Sequence, residues 1–364
     1  MRLMILASGD LWAGAEVMVY QLASGLAKIP NLDLLVVLLN KGRLAEELQK
    51  IGVEVQMVDE SIHSFAVLSR AIRKKVAEFS PNIIHSHRYK ENLLAWLSVL
   101  GKKGVGLVST QHGMPETVGG DISLAGRLRT GFFFRLLSCC FDCTVLVSEE
   151  MRLLLIGSYG FSKNNVAVIH NGISIPKDSS RRSAERLVVG SAGRLFPVKD
   201  FTLFVDVANL VVAQNDMVDF VIAGDGPQRI MLEDMVRSNG LQEHFRFLGH
   251  QGDMDAFYRS LDVYINTSVH EGIPMSVLEA MSYGLPVVVP EVGGFPEIVK
   301  DGEQGFLIKG RQKKEYADRV LELVVNSELR LQMATSARKR VVDFFSRDAM
   351  AQAYFDVYSR VRRS

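Results

Sequence analysis

The sequence predicts an α/β protein built from two doubly wound parallel-sheet domains facing each other across a cleft. Three observations lead there. Short, nearly unbroken apolar runs alternate with longer amphipathic segments along the chain. Strands of that kind are buried on both faces, as parallel strands covered by helices are. The rhythm pauses at a polar stretch containing Pro176, residues 174–182, and then restarts. Finally, 364 residues is the length of roughly two domains.

Taken in order, the first half (1–173) offers strands at Leu3–Ala7, Leu34–Leu39, Val53–Val58, Ile83–His85, Gly106–Thr110 and Thr144–Ser148. Each is a run of apolar or β-branched residues too short for a helix. Between them, patterns of helical period occupy segments such as Glu16–Lys28, Leu44–Ile51 and Ser64–Phe79. The second half (183–347) repeats the scheme with strands at Leu187–Ala192, Phe220–Ala223, Phe245–Leu248, Val263–Asn266, Val287–Val289 and Gly305–Ile308. Helices are expected at Phe201–Val212, Arg229–Ser238, Met254–Ser260 and Pro274–Tyr283. A last helix at about 348–364 has no strand after it.

Composition narrows the function. Apolar residues make up 48% and charged residues 23%, and 42 Lys and Arg nearly balance 41 Asp and Glu. No basic excess marks a nucleic-acid binder. Three cysteines, Cys139, Cys140 and Cys143, cannot all pair and lack a fourth ligand at zinc spacing. A reducing, cytoplasmic setting is therefore expected. No segment is apolar for the about 20 residues a membrane span needs, and Met1–Ala7 reads as a buried strand and not a leader.

Open parallel sheets place ligands at the carboxyl ends of their strands, and the candidate residues gather there. Gly190–Asp200 ends a strand in glycine and then presents Arg194 and Lys199, two cations suited to a diphosphate. Val269–Met281 feeds a strand into a helix with Pro274 at its first position. The N–H groups of Met275, Ser276 and Val277 would be free to meet an anion. Glu271 stands before that helix, able either to meet hydroxyls or to cap it. Glu279 stands inside it among apolar residues, where a carboxylate normally has a partner. Gly293-Gly294 permits close approach of a ligand or simply a tight turn. In the first half, Trp12-Ala13-Gly14 opens a helix near the first strand. His85 and His87 share a strand face, where a metal is possible but no carboxylate or cysteine completes a set. His112, before Gly113 at a strand tip, is the better candidate for touching substrate.

Some chemistries are excluded. There is no nucleophile elbow and no Walker loop. Ala223-Gly224-Asp225-Gly226-Pro227 lacks the third glycine of a dinucleotide fingerprint, since residue 229 is Arg. Asp253-Met254-Asp255 reads as a helix cap at Asp253 and not a metal site.

Together these segments resemble the retaining glycosyltransferases of family 4, also called group 1, with the two-domain, Rossmann-like GT-B fold. The shared marks are Gly193-Arg194…Lys199, Ala223–Pro227, the Glu-x7-Glu of Glu271 and Glu279 with Gly272 and Pro274 between, Val292-Gly293-Gly294, Val168–Ile173 and Ile84–His87. The resemblance implies a metal-independent enzyme with no cofactor. It would move a sugar from a nucleotide-diphosphate donor, UDP- or GDP-linked, to a glycan or lipid-linked acceptor. Arg194 and Lys199 would bind the diphosphate and Glu279 the ribose. Glu271, Gly272, Ile273, Pro274, Met275, Ser276 and Val277 would hold the donor sugar and phosphate. Gly14 would approach the phosphates, and His112 would contact the sugar near the reacting carbon. The first domain would serve the acceptor, with the last helix crossing back to it. His170, Ile273 and the single Gly14 depart from the usual pattern, yet none removes a charge. A nucleotide-sugar 2-epimerase of the same fold and a non-catalytic nucleotide-sugar binder stay open as alternatives.

Two basic segments bear on location. Arg70–Phe79 is a basic amphipathic helix, and Arg127, Arg129 and Arg135 surround Phe132, Phe133 and Phe134. Such a mixture suits anionic headgroups. Peripheral contact with the inner face of the cytoplasmic membrane is one expectation, a solvated helix face the other.

Overall fold

The computed structural model describes residues 1–9, 12–113, 124–179 and 185–363, with the backbone alone for 124–129 and 363. The chain forms two compact units, Met1–Ser174 with Ser346–Ser364, and Ile175–Phe345.

The first unit is a seven-stranded, all-parallel sheet. Its strands are β1 (Arg2–Ala7), β2 (Asp33–Leu38), β3 (Glu54–Met57), β4 (Ile83–His87), β5 (Gly106–Gln111), β6 (Cys143–Leu146) and β7 (Val166–Val168). The order is β3-β2-β1-β4-β5-β6-β7. Leu3, Met4, Ile5 and Leu6 are fully buried, as a strand covered by helices on both faces requires. Two differences from the sequence reading stand out. The edge strand β7 is only three residues long, too short to announce itself by pattern. And β4 runs two residues beyond His85, because Ser86 and His87 are buried polar residues that continue the ladder with β5.

The second unit is a six-stranded parallel sheet of β8 (Leu187–Ala192), β9 (Val218–Ala223), β10 (Phe245–Gly249), β11 (Val263–Ile265), β12 (Val287–Pro290) and β13 (Gly305–Ile308). The order is β10-β9-β8-β11-β12-β13. Phe204, Phe220 and Phe245 pack together in its core, Phe204 edge-on to Phe220 (centroids 5.6 Å apart) and Phe220 stacked with Phe245 (6.4 Å). Three aromatics at this spacing bury a large apolar area and fix their relative orientation.

The helix Arg347–Arg363 belongs to the first unit and packs on the helix Gly14–Leu26 and on β5. Its seat is made by glycines. A Cβ on Gly25 would lie 2.6 Å from that of Ala351, and one on Gly106 would lie 2.4 Å from Val361. Ile173 and Ser346 pair as an isolated bridge where the helix begins.

Among the described residues no helix is long and apolar enough to cross a membrane. The side chains of Arg127 and Arg129, and the predicted linker residues Ser180, Arg181 and Arg182, lie outside the described residues.

Candidate active site

In the second sheet the strand order reverses between β8 and β11. The carboxyl ends of these two strands leave in opposite connections, which opens a crevice where ligands of such sheets bind. Arg194, Lys199, Glu271 and Glu279 all descend from those two strand ends.

The backbone there is tightly cross-tied. Tyr264 of β11 accepts from the Ala192 N–H at 3.0 Å and donates to the Ala192 carbonyl at 3.3 Å. Gly193 N–H donates to the Ala223 carbonyl (3.0 Å), and Leu195 N–H to the Asp225 carbonyl (2.9 Å). Gly224 fits this seam because a Cβ there would sit 1.9 Å from the Gly193 carbonyl oxygen. Further on, Val269 N–H donates to the Val198 carbonyl (2.8 Å) and the Thr267 hydroxyl to that of Lys199 (3.0 Å). Two loops far apart in sequence therefore meet as one surface.

That meeting brings Lys199 onto Glu271. The two form an ion pair with side chains 21% and 17% exposed, and the Ser268 hydroxyl also donates to Glu271 at 2.8 Å. Arg194 is exposed, its guanidinium 4.9 Å from the centre of the Phe196 ring. Arg311 is a cation the sequence reading missed. It pairs with Asp200 and donates to the carbonyls of Thr267 (2.8 Å) and Ser268 (3.3 Å). Its position three residues after β13, at another carboxyl strand end, was the available signal.

The two glycines after β12 are explained by protein backbone. Gly293 has φ +55°, and a Cβ there would lie 1.9 Å from the Glu271 carbonyl oxygen; one on Gly294 would lie 2.2 Å from that of Gly272. Gly294 N–H donates to the Gly272 carbonyl at 3.0 Å. The close approach is thus made by the Glu271-Gly272 turn itself.

The helix after this turn runs Met275–Ser282, with Pro274 as its N-cap and not its first residue. Gly272, Ile273, Pro274, Met275 and Val277 are buried, and Ser276 is half-buried. One expectation is corrected here. Val277 N–H donates to the Pro274 carbonyl at 3.2 Å, because the cap closes the first turn. Met275 and Ser276 are left as the N–H groups not engaged by that turn.

Glu279 has the partner its apolar setting demanded, and the sequence did not reveal which. Tyr258, itself 1% exposed, donates to Glu279 Oε2 at 2.7 Å. Burial pushes the Glu279 carboxyl up to about 7; the Tyr258 hydrogen bond opposes this by favouring the ionised form, and the nearby Asp255 adds to it. Asp253 caps its helix by accepting from Ala256 N–H at 3.0 Å, as the sequence reading held.

In the first unit the reversal falls between β1 and β4. His85 and His87 do share a face, with ring centroids 4.3 Å apart. Both nitrogens of His85 are engaged, by Thr110 (2.8 Å) and by Tyr358 (2.7 Å). A second tyrosine of the same helix, Tyr354, bonds Thr110 at 2.9 Å. His87 Nδ1 lies 3.0 Å from His112 Nε2, their rings stacked. Burial holds all three rings neutral: His85 falls to about 3, His112 to about 4 with help from the Arg88 charge, and His87 well below its usual range. Gly14 opens the helix Gly14–Leu26, whose N-cap Ala13 donates to Glu16 at 3.3 Å, and buried Glu16 is paired with Arg88. Among the described residues no cluster of three or more His, Cys, Asp or Glu side chains is set to hold a metal.

Two parallel α/β units of this strand order have the GT-B fold. The chain belongs to the glycosyltransferase family 4, group 1: the model "Glycosyltransferase Family 4" matches residues 12–176 and "Glycosyl transferases group 1" residues 175–340. Poly(ribitol-phosphate) alpha-N-acetylglucosaminyltransferase of Staphylococcus aureus is 25% identical over 216 residues, 59% of this chain and 43% of that protein. The chain therefore spans less than half of that relative's length. N-acetyl-alpha-D-glucosaminyl L-malate synthase of Bacillus anthracis is 25% identical over 329 residues, 85% of this chain and 84% of that one. The fold is shared with HepE of Anabaena, solved in complex with UDP-glucose, at a TM-score of 0.86 and 20% identity, covering 99% of this chain and 100% of that one.

Proposed function

We propose that the protein is a retaining, metal-independent glycosyltransferase that moves a sugar from a nucleotide-diphosphate donor to a glycan or lipid-linked acceptor in cell-surface polymer or glycolipid synthesis. The observation that carries it is the convergence of Arg194, Lys199 and Glu271 on one cross-tied surface at the reversal of the second sheet. A UDP-sugar is the donor favoured by the relatives, among them a UDP-Gal-dependent galactosyltransferase of Escherichia coli (24% identical) and the HepE complex with UDP-glucose.

The chemistry follows from charge. Breaking the bond between the anomeric carbon and the diphosphate leaves the electron pair on a phosphate oxygen and positive charge on the sugar. Arg194, Lys199 and the N–H groups of Met275 and Ser276 stabilise that oxygen without reorganising. Glu271 holds the donor sugar and Lys199 in register, and Glu279 accepts from the ribose hydroxyls. Retention is served by attack of the acceptor oxygen on the face the leaving group departs from, its proton passing to the diphosphate. Anionic membrane contact belongs to the helices Phe65–Phe79 and Leu124–Cys140, the latter carrying Phe132 at 57% exposed.

A thermal-shift panel of UDP, GDP, ADP and their sugars, with and without EDTA, tests the reading. A single nucleoside diphosphate class should raise Tm, unaffected by EDTA, and Arg194→Ala should abolish the rise. No shift with any nucleotide would remove the enzymatic reading.

A further inference from the structure

We propose that Tyr258 is a positioning residue for the donor site: it clamps one oxygen of the Glu279 carboxylate so that the other faces the ribose hydroxyls. The proposal rests on the reading of Glu279 as the ribose ligand.

Two short pieces of helix carry the argument. Tyr258 lies on Met254–Arg259 and reaches Glu279 on Met275–Ser282, while Tyr283, just past the second helix, reaches back to Asp255 on the first. The two rings stack, 5.5 Å apart at 21°. This reciprocal pair of tyrosine–carboxylate bonds fixes the Tyr258 ring in place, and with it Glu279 Oε2. Oε1 makes no hydrogen bond among the described residues, and Glu279 is only half-buried. A carboxylate with one oxygen held and one open is prepared to accept from hydroxyls at a fixed angle, which lowers the ordering cost of binding.

The groups facing Glu279 set the sign of its pH response. Asp255 on the Tyr258 helix favours its protonated form, as burial does; Tyr264 of β11 and Tyr283 are the other titratable neighbours. The Tyr258 hydrogen bond favours the ionised form. Losing it therefore moves the Glu279 titration upward, by about one pH unit if the bond is of ordinary charge-assisted strength.

The experiment measures UDP affinity by calorimetry between about pH 5.5 and 8.5, together with a 13C NMR titration of the Glu279 carboxyl assigned with Glu279→Gln. In the wild type, affinity should fall on acidification with a midpoint near 7. Tyr258→Phe should raise both midpoints by about one unit, weaken binding about fivefold at pH 7, and recover most of it at the alkaline end. Fluorotyrosine at 258, a stronger donor that keeps the packing, should move both midpoints down. A loss equal at every pH, or a carboxyl titration unmoved by either change, overturns the proposal. Wild-type affinity in Glu279→Gln would instead overturn the ribose reading, while the carboxyl titration still judges the clamp.

Discussion

At the reversal of the second sheet Lys199 forms an ion pair with Glu271, and Arg311 with Asp200. At that of the first, three histidines stand side by side and are kept neutral, His85 sealed by the hydroxyls of Thr110 and Tyr358. The two units share a topology and place chemistry at the same end of the sheet, yet they manage charge oppositely. Charge suits a surface that must meet a diphosphate. Neutral imidazoles offer hydrogen bonds without adding charge.

The comparison can be broken most sharply at the glycine that seats Glu271. Gly293→Ala forces a Cβ into the Glu271 carbonyl at a backbone φ of +55°. The turn must move, so transfer activity should fall at least a hundredfold. Gly302→Ala, at φ +76° with open space around it, should cost only about 1 kcal/mol of stability and leave activity intact. Equal losses in the two variants, measured by donor turnover and Tm, would mean that the turn does not hold Glu271.

Acid should act with opposite sign on the two sites. A histidine whose folded titration lies near 4 binds fewer protons than its unfolded form below 6.5. Its contribution is complete above 6.5 and drains away as pH falls toward 4. Glu279, raised to about 7, does the reverse: its contribution is present below 4.5 and lost as pH rises through 7. Between pH 7 and 5, His112→Gln should reduce the acid loss of stability by about 2 kcal/mol, and Glu279→Gln should deepen it by a similar amount. Urea unfolding followed at both pH values checks the signs; changes in the same direction would refute the contrast.

The smallest effect on the donor site should come from the basic helix. Lys74 and Lys75 lie 3.8 and 3.7 Å from Glu78, so this face is a mixed one. Changing Arg73, Lys74 and Lys75 to Glu should abolish binding to anionic vesicles and leave UDP affinity within about twofold, since exposed charges are screened in salt. Unchanged vesicle binding would sink the membrane reading.

Much of this was legible in the residues themselves. Apolar strand runs and glycine-bounded loops marked both sheets, because buried parallel strands leave no other pattern. Arg194, Lys199 and Glu271 stood out as candidates because they follow strand ends in loops with glycine or proline, and Glu279 because it sits among apolar residues; of these the structure joins Lys199 to Glu271. Their partners did not stand out. Tyr258 reads as one more apolar helix residue, and nothing local ties it to a carboxylate 21 positions away. The link of His85 to Tyr358 spans 273 positions. Such pairs are set by sheet order and helix docking, which spacing does not encode.

The placement of the helix Arg347–Arg363 bears on how the protein is made. It completes the first unit, yet a ribosome delivers it only after the whole second unit has emerged. Until then the seat formed by Gly25 and Gly106, and the Thr110 and His85 side chains that bond Tyr354 and Tyr358, wait uncovered. The nascent first half therefore stays without this helix while the second unit is being made. The helix that closes the histidine cluster is thus made after every residue of the second unit.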